Sequence, residues 1–148
     1  MQTRYAWLAG IIDGEGCFTI YRRSCRSGGK GNSHIWSTQA NVTITNSCAS
    51  LLDECRALLD GLKVKYTYIE PRNSTKRPLR RISVRNYGSL ILLLDTIDPY
   101  LVGKRAQAAL LREFVTRAMA RKGFQATEER IGYCARMSAL NKFGELIP

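Results

Sequence analysis

The chain has 148 residues, a formal charge of +11 and a 45% hydrophobic composition, which suits one packed domain over residues 1–148. No stretch approaches the roughly 18 consecutive apolar residues of a bilayer-spanning helix, and the N-terminus lacks a signal-peptide pattern, so an intracellular protein without a membrane is expected. Five cysteines (17, 25, 48, 55 and 134) without a Cys-x-x-Cys pair, and His34 as the single histidine, argue against a zinc site and for reduced thiols.

The first predicted element is a helix over Thr3–Gly14. Gly10 and Gly14 are four apart and share a face on which another backbone can approach closely. Trp7, Leu8, Ile11 and Ile12 fall on another face and suit a core. Asp13 and Glu15 then sit at the helix C-terminus, where the macrodipole disfavours anions. Two carboxylates placed against that bias need compensation, and a divalent cation is one way to supply it.

Cys17–Arg23 alternates as a strand, and Ser24–Ser33 is a Gly/Ser-rich, basic hairpin connection. Its Gly28-Gly29-Lys30-Gly31 lacks the spacing and the following helix of a phosphate loop. Trp36–Thr45 is the cleanest strand. Ser37, Gln39, Asn41, Thr43 and Thr45 are polar at odd positions, while Ala40, Val42 and Ile44 are apolar at even ones. Hydroxyls and amides with few charges suit base edges better than bulk solvent.

Asn46–Asp60 is predicted helical, with Ser47 as N-cap and Gly61 as terminator. Lys63–Ile69 is a third strand in which Tyr66 and Tyr68 fit either face. Glu70–Pro78 is a Pro-bounded turn. Leu79–Arg85 is a fourth strand, with Ile82 and Val84 opposite Arg81, Ser83 and Arg85. Ser89–Thr96 is a short helix, Asp98-Pro99 breaks the chain, and Lys104–Arg121 is a longer helix. Thr127–Asn141 is another, with Ile131, Cys134 and Leu140 on one side. Basic residues gather in the strand segments: residues 17–46 hold four Arg/Lys and no acid, and residues 63–86 hold eight against Glu70 alone. Such a distribution points to a positive sheet face meeting a polyanion.

Leu8-Ala9-Gly10-Ile11-Ile12-Asp13-Gly14-Glu15-Gly16 resembles the signature of the LAGLIDADG homing endonucleases. Six of the nine letters are identical, and Ile11, Gly14 and Glu15 replace Leu, Ala and Asp. The flanks Tyr5-Ala6-Trp7 and Cys17-Phe18-Thr19-Ile20 are also similar to the family, as are Asp98-Pro99-Tyr100-Leu101 with Lys104, and Ala139-Leu140-Asn141.

The resemblance implies an α+β, αββαββα homing-endonuclease fold, an antiparallel DNA-binding sheet saddle backed by helices. A single signature implies a homodimer on a long, near-palindromic double-stranded DNA target, with Ala6, Gly10, Asp13 and Gly14 at the interface. The activity implied is site-specific phosphodiester hydrolysis with Mg²⁺ bound by the Glu15 carboxylate and the Gly14 carbonyl. Asp13 would organise the helix end. Lys104 and Asn46 match catalytic positions near the attacking water. Loop residues Arg26, Lys30, Arg72, Lys76 and Arg77 would hold phosphates. Thr19, Tyr21, Arg23, Ser37, Gln39, Asn41, Thr43, Arg81, Ser83 and Arg85 would face bases, and Tyr68 is counted with them. Such proteins come from mobile introns, which places this one in a prokaryotic cytoplasm or nucleoid or inside an organelle. An intron-RNA maturase and a non-cleaving DNA-binding regulator use the same scaffold; the acidic pair and Lys104 favour the nuclease.

Overall fold

The computed structural model describes residues 1–26, 34–71, 78–124 and 126–144. The elements run α1 (Gln2–Glu15), β1 (Gly16–Arg26), β2 (His34–Asn46), α2 (Ala49–Gly61), β3 (Thr67–Ile69), β4 (Arg80–Val84), α3 (Tyr87–Ile97), a 3₁₀ turn at Asp98–Tyr100, α4 (Arg105–Met119) and α5 (Thr127–Phe143). The four strands form one antiparallel sheet in the order β1-β2-β4-β3.

The period of two in the strand sequences produces a two-sided sheet. Phe18, Ile20, Ala40, Val42, Ile44, Ile82 and Val84 are buried together with Leu8, Ile12, Leu59, Leu94, Leu111 and Phe114 of the helices. The odd-numbered strand residues lie on the other face. Strand register locks this arrangement, since a shift of one residue would turn the apolar set into solvent. Within β1 and β2 it aligns Thr19 with Asn41, Tyr21 with Gln39 and Arg23 with Ser37.

Helix boundaries follow local chemistry. Asn86 caps α3, its side chain accepting the Ser89 N–H at 3.0 Å. Gly144 ends α5 in the left-handed region, φ 75°. Gly61 does not terminate α2, contrary to expectation. It is the last helical residue, and Lys63 takes the left-handed conformation at φ 59°. Val64 N–H bonds the Leu59 carbonyl and Lys63 N–H the Asp60 carbonyl, the two bonds of a Schellman motif. Buried Val64 supplies the hydrophobic contact of that motif, so position 63 is decided by where Val64 must go. This is also why the third strand is short. Lys63–Lys65 is used to close α2, and Lys65 N–H bonds Ser89 Oγ at 2.9 Å.

Three other expectations change. Ser47 is not the cap of α2; Cys48 holds that position, and Asn46 Oδ1 accepts its N–H at 2.8 Å. Of the α1 residues assigned to the core, Leu8 and Ile12 are buried with Ala9, but Ile11 is half-buried and Trp7 is 38% exposed. On α5 the buried residues are Tyr133, Met137 and Leu140, while Ile131 points outward.

Candidate functional site

The site begins at the end of α1. Gly16 follows it with no room for a side chain: a Cβ there would lie 2.5 Å from the Ile12 carbonyl oxygen and 2.9 Å from Ile12 Cα. Glycine lets the chain turn from helix directly into β1, and Gly16 pairs with Ile44. The antiparallel pairing therefore brings the α1 terminus, the start of β1 and the end of β2 to one end of the sheet.

The two acids of the signature have separate fates. Asp13 is committed. Its carboxylate accepts the N–H groups of Val102 at 2.7 Å, Gly103 at 3.2 Å and Lys104 at 2.9 Å, on the approach to α4. A carboxylate disfavoured at its own helix end is thereby favoured at the N-terminus of another helix. The compensation expected from a cation comes, for Asp13, from the chain. Glu15 is exposed and has no hydrogen-bond or ion-pair partner among the described residues.

Lys104 returns the contact. Its ammonium donates to the Ile12 carbonyl at 3.1 Å and to the Asp13 carbonyl. The Ile12 carbonyl also accepts the Gly16 N–H that closes the helix, whereas the Asp13 carbonyl is one of the four that a helix end leaves without intrahelical partners, and the Gly14 carbonyl is the next. A hard oxygen set, one free carboxylate with a neighbouring carbonyl, suits Mg²⁺, which retains several waters. The donors at Glu15 and Gly14 thus fit the ion, and Asp13 does not compete for it.

Asn46 ends β2 beside this corner. Its Oδ1 is engaged at α2, which leaves the amide nitrogen as its donor. Arg80, paired with Asn46 across the sheet, donates to the Ser47 carbonyl at 3.0 Å. Cys48 is exposed, and the Ser50 hydroxyl at 3.3 Å holds its thiol below the ordinary range. Burial pushes Cys55 up to about 11.

The odd-numbered face carries most of the residues expected to meet bases. Tyr21 donates its hydroxyl to Gln39 Oε1 at 3.0 Å. Arg23, Arg81 and Arg85 are exposed, and Thr19, Tyr21, Ser37, Gln39 and Thr43 are half-buried. Asn41 and Ser83 lie on this face but are covered, at 7% and 1% exposure. They bond each other, Ser83 Oγ donating to Asn41 Oδ1 at 2.9 Å, and Arg85 Nε donates to Ser83 Oγ at 3.2 Å. They support Arg85 rather than present edges of their own.

Tyr68 is a correction. It aligns with buried Ile82, so it is on the helix side of the sheet, and the Arg56 guanidinium lies 4.4 Å from its ring centroid. The neighbours that share Ser83 and Arg81 parity are Thr67 and Ile69. Sequence reasoning missed both, because a three-residue strand gives too little alternation to set a face. Lys30, Arg72, Lys76 and Arg77 lie outside the described residues, as does the side chain of Arg26.

On the outward face of α1, Gly10 and Gly14 are exposed, and a Cβ at either would meet nothing within 4 Å. Nothing among the described residues requires their smallness. Half-buried Ala6 and exposed Thr3 and Trp7 extend the same face.

A profile of the LAGLIDADG-like domain matches residues 2–98. The chain belongs to the LAGLIDADG family. The match includes the α1 signature, the whole sheet and α3. No curated protein sequence matches the chain. Among solved structures, this LAGLIDADG chain is similar to the homing endonuclease I-CvuI in complex with the I-CreI target, where the DNA is not cleaved in the presence of 2 mM Mg. The TM-score is 0.73 at 21% identity, over 99% of this chain and 98% of that one. It is also similar to the archaeal intron-encoded homing endonuclease I-Vdi141I complexed with DNA (TM-score 0.67, 15% identity, 92% and 82% of the two chains). A third similar structure is the LAGLIDADG homing endonuclease I-GzeII with its DNA target, at TM-score 0.67 and 19% identity. This chain is 97% covered in that comparison and spans 50% of I-GzeII. The fold is that of the LAGLIDADG homing endonucleases.

Proposed function

We propose that this protein is a site-specific double-strand DNA endonuclease acting as a homodimer. The observation that carries the proposal is the separation of the two acids: Asp13 is consumed in holding α1 to the start of α4, and Glu15 is left free beside a basic, polar sheet face.

A duplex laid over the odd-numbered face meets Arg23, Arg81 and Arg85 with no acid interleaved among the outward residues of β1, β2 and β4. Guanidiniums there pair with phosphates or, in bidentate geometry, with guanine. Glu15 would come to a backbone phosphate at the α1 end of the sheet. The Glu15 carboxylate and the Gly14 carbonyl would hold a divalent cation such as Mg²⁺, which would supply Lewis-acid polarisation of the phosphate and a nucleophilic water at neutral pH. The Asn46 amide orients solvent at the same corner. Lys104 keeps the carbonyl end of α1 neutralised so that Glu15 stays in place.

Two copies meet through the outward faces of α1, where Gly10 and Gly14 allow backbone contact. Each copy brings its own Glu15, one per strand, and a two-fold dimer calls for a near-palindromic target. The free thiols of Cys17, Cys48, Cys55 and Cys134 suit a reducing, intracellular setting, and an intron-borne gene agrees with the family.

Selection of cleaved duplexes from a random-sequence pool tests the proposal. Wild type with Mg²⁺ should cut both strands of the selected duplex. Glu15→Gln should bind it and cut neither strand, EDTA should abolish cutting by wild type, and Lys104→Ala should slow cutting less completely. Cutting by Glu15→Gln at the wild-type rate would sink the proposal.

A further inference from the structure

A cleft of about 560 Å³ opens at the end of the sheet away from Glu15, lined by Arg23, Gln39, Arg85, Asn86, Tyr87 and Met119, among others. It exists because β2 has 13 residues and β4 only 5. The last rung they share is Val42 with Val84, after which the chain leaves the sheet through Arg85 and Asn86 into α3. The space beside Gln39 and Ala40 is therefore unfilled by a strand. Among the described residues, two guanidiniums and two carboxamides line it, with no carboxylate.

Met119 is the last residue of α4, so the cleft also marks where that helix ends. The chain then makes a hydrogen-bonded turn, with Gly123 N–H on the Ala120 carbonyl at 2.9 Å and Gly123 in the left-handed region at φ 52°. The two central residues of that turn are Arg121 and Lys122, both exposed. Consecutive Cα atoms are about 3.8 Å apart, so both lie within roughly 11 Å of Met119, within reach of the cleft for such long side chains. A turn fixed by its own hydrogen bond and a glycine thus offers two cations beside a cleft that already holds two.

We propose that Arg121 and Lys122, just past the cleft that Arg23 and Arg85 line, form a clamp for the phosphodiester backbone of duplex DNA beyond the base pairs that those two sheet arginines meet. The clamp rests on the duplex-DNA function argued above. Its position sets where it acts. Arg23 lies eight residue steps beyond Glu15 along β1, which at about 3.3 Å per step is roughly 26 Å, or some seven or eight base pairs at about 3.4 Å each.

The probe is a duplex that wild type selects from a random-sequence pool, used at about 24 base pairs and trimmed symmetrically to about 12, short of the clamp. Dissociation constants are measured against salt for wild type, Arg121→Ala/Lys122→Ala and Arg121→Gln/Lys122→Gln, each checked for an unchanged melting temperature. On the long duplex both variants should show a shallower log–log salt slope, by about 0.9 for each phosphate no longer neutralised. On the short duplex their slopes should equal wild type, and discrimination against a scrambled sequence should be unchanged on both. An unchanged slope on the long duplex, or equal shallowing on the short one, overturns the clamp and leaves duplex binding standing. Wild type that selects no duplex overturns the function and the clamp together. An effect confined to structured RNA, with duplex affinity untouched, overturns the clamp as well.

Discussion

Asp13 and Lys104 exchange helix ends. Asp13, near the C-terminus of α1, gives its carboxylate to the backbone amides leading into α4, and Lys104, at the cap of α4, gives its ammonium to the carbonyls that end α1. Each charge is unfavourable or neutral where its own helix would leave it and favourable at the other's terminus. The exchange fixes the angle at which α1 meets α4 and holds Glu15 at the exit.

Asp13→Ala should therefore act first on stability. Three N–H groups lose their acceptor at a half-exposed position, and a loss of about 1–2 kcal/mol is expected after allowing for solvent. Thermal melting should fall by roughly 3–8 °C for a chain of this size. Asp13→Asn retains one acceptor oxygen and should lose about half as much. Its cleavage should remain measurable, unlike that of Glu15→Gln. Equal melting temperatures for Asp13→Ala and wild type would mean the amides find other partners at no cost.

Gly10→Leu should block close approach of two α1 helices and yield monomer or aggregate in sedimentation, while leaving the monomer core intact because position 10 faces open space. Trp7 gives a second readout. With Trp36→Phe as background, Trp7 emission should shift to the blue as concentration rises and the exposed indole is covered, and Gly10→Leu should abolish the shift.

Arg81 and Arg85 separate specificity from general attraction. Each is exposed on the odd-numbered face, and Arg85 is steadied by Ser83. Arg81→Ala or Arg85→Ala should relax preference at one symmetric pair of base positions, by about 1–3 kcal/mol for each bidentate arginine–base pair removed. Ser83→Ala should produce a weaker version of the Arg85→Ala pattern. A uniform fall in affinity for all sequences would assign the arginine to phosphate.

Lys63 is a site for stabilisation. A β-carbon in the left-handed region carries a conformational penalty that glycine lacks, at the cost of a freer unfolded chain. Lys63→Gly should keep both bonds of the Schellman motif and raise stability by about 0.5–1 kcal/mol in denaturant titration. Gly61→Ala should also stabilise, by up to about 1 kcal/mol, because that residue is helical and its Cβ would meet nothing.

Thiol reactivity should follow burial and the Ser50 contact. Cys48 should react with a disulfide reagent at lower pH than an ordinary cysteine, because the hydroxyl of Ser50 favours its thiolate. Cys55, pushed up to about 11 inside the core, should react only after unfolding. Ser50→Ala should move the Cys48 reactivity profile toward higher pH.

The sequence by itself determined the order of elements and the sidedness of β1, β2 and β4. Alternation over five or more residues leaves one arrangement in which the apolar set is buried, and Leu8–Gly16 carried the family. Tertiary structure decided the rest. The resemblance assigned Asp13 to the helix end and Glu15 to the metal, but the physical reason lies in the amides of residues 102–104, some ninety positions away, which no local pattern shows. The side of Tyr68 was settled by pairing with Ile82, because three residues of alternation bury too little to choose a face. Lys63 adopted the conformation that glycine prefers because burying Val64 outweighed the local backbone preference. Trp7 sits outward because Leu8, Ala9 and Ile12 already fill the space between α1 and the sheet. Local pattern sets which residues want to be buried, and packing sets which of them find room.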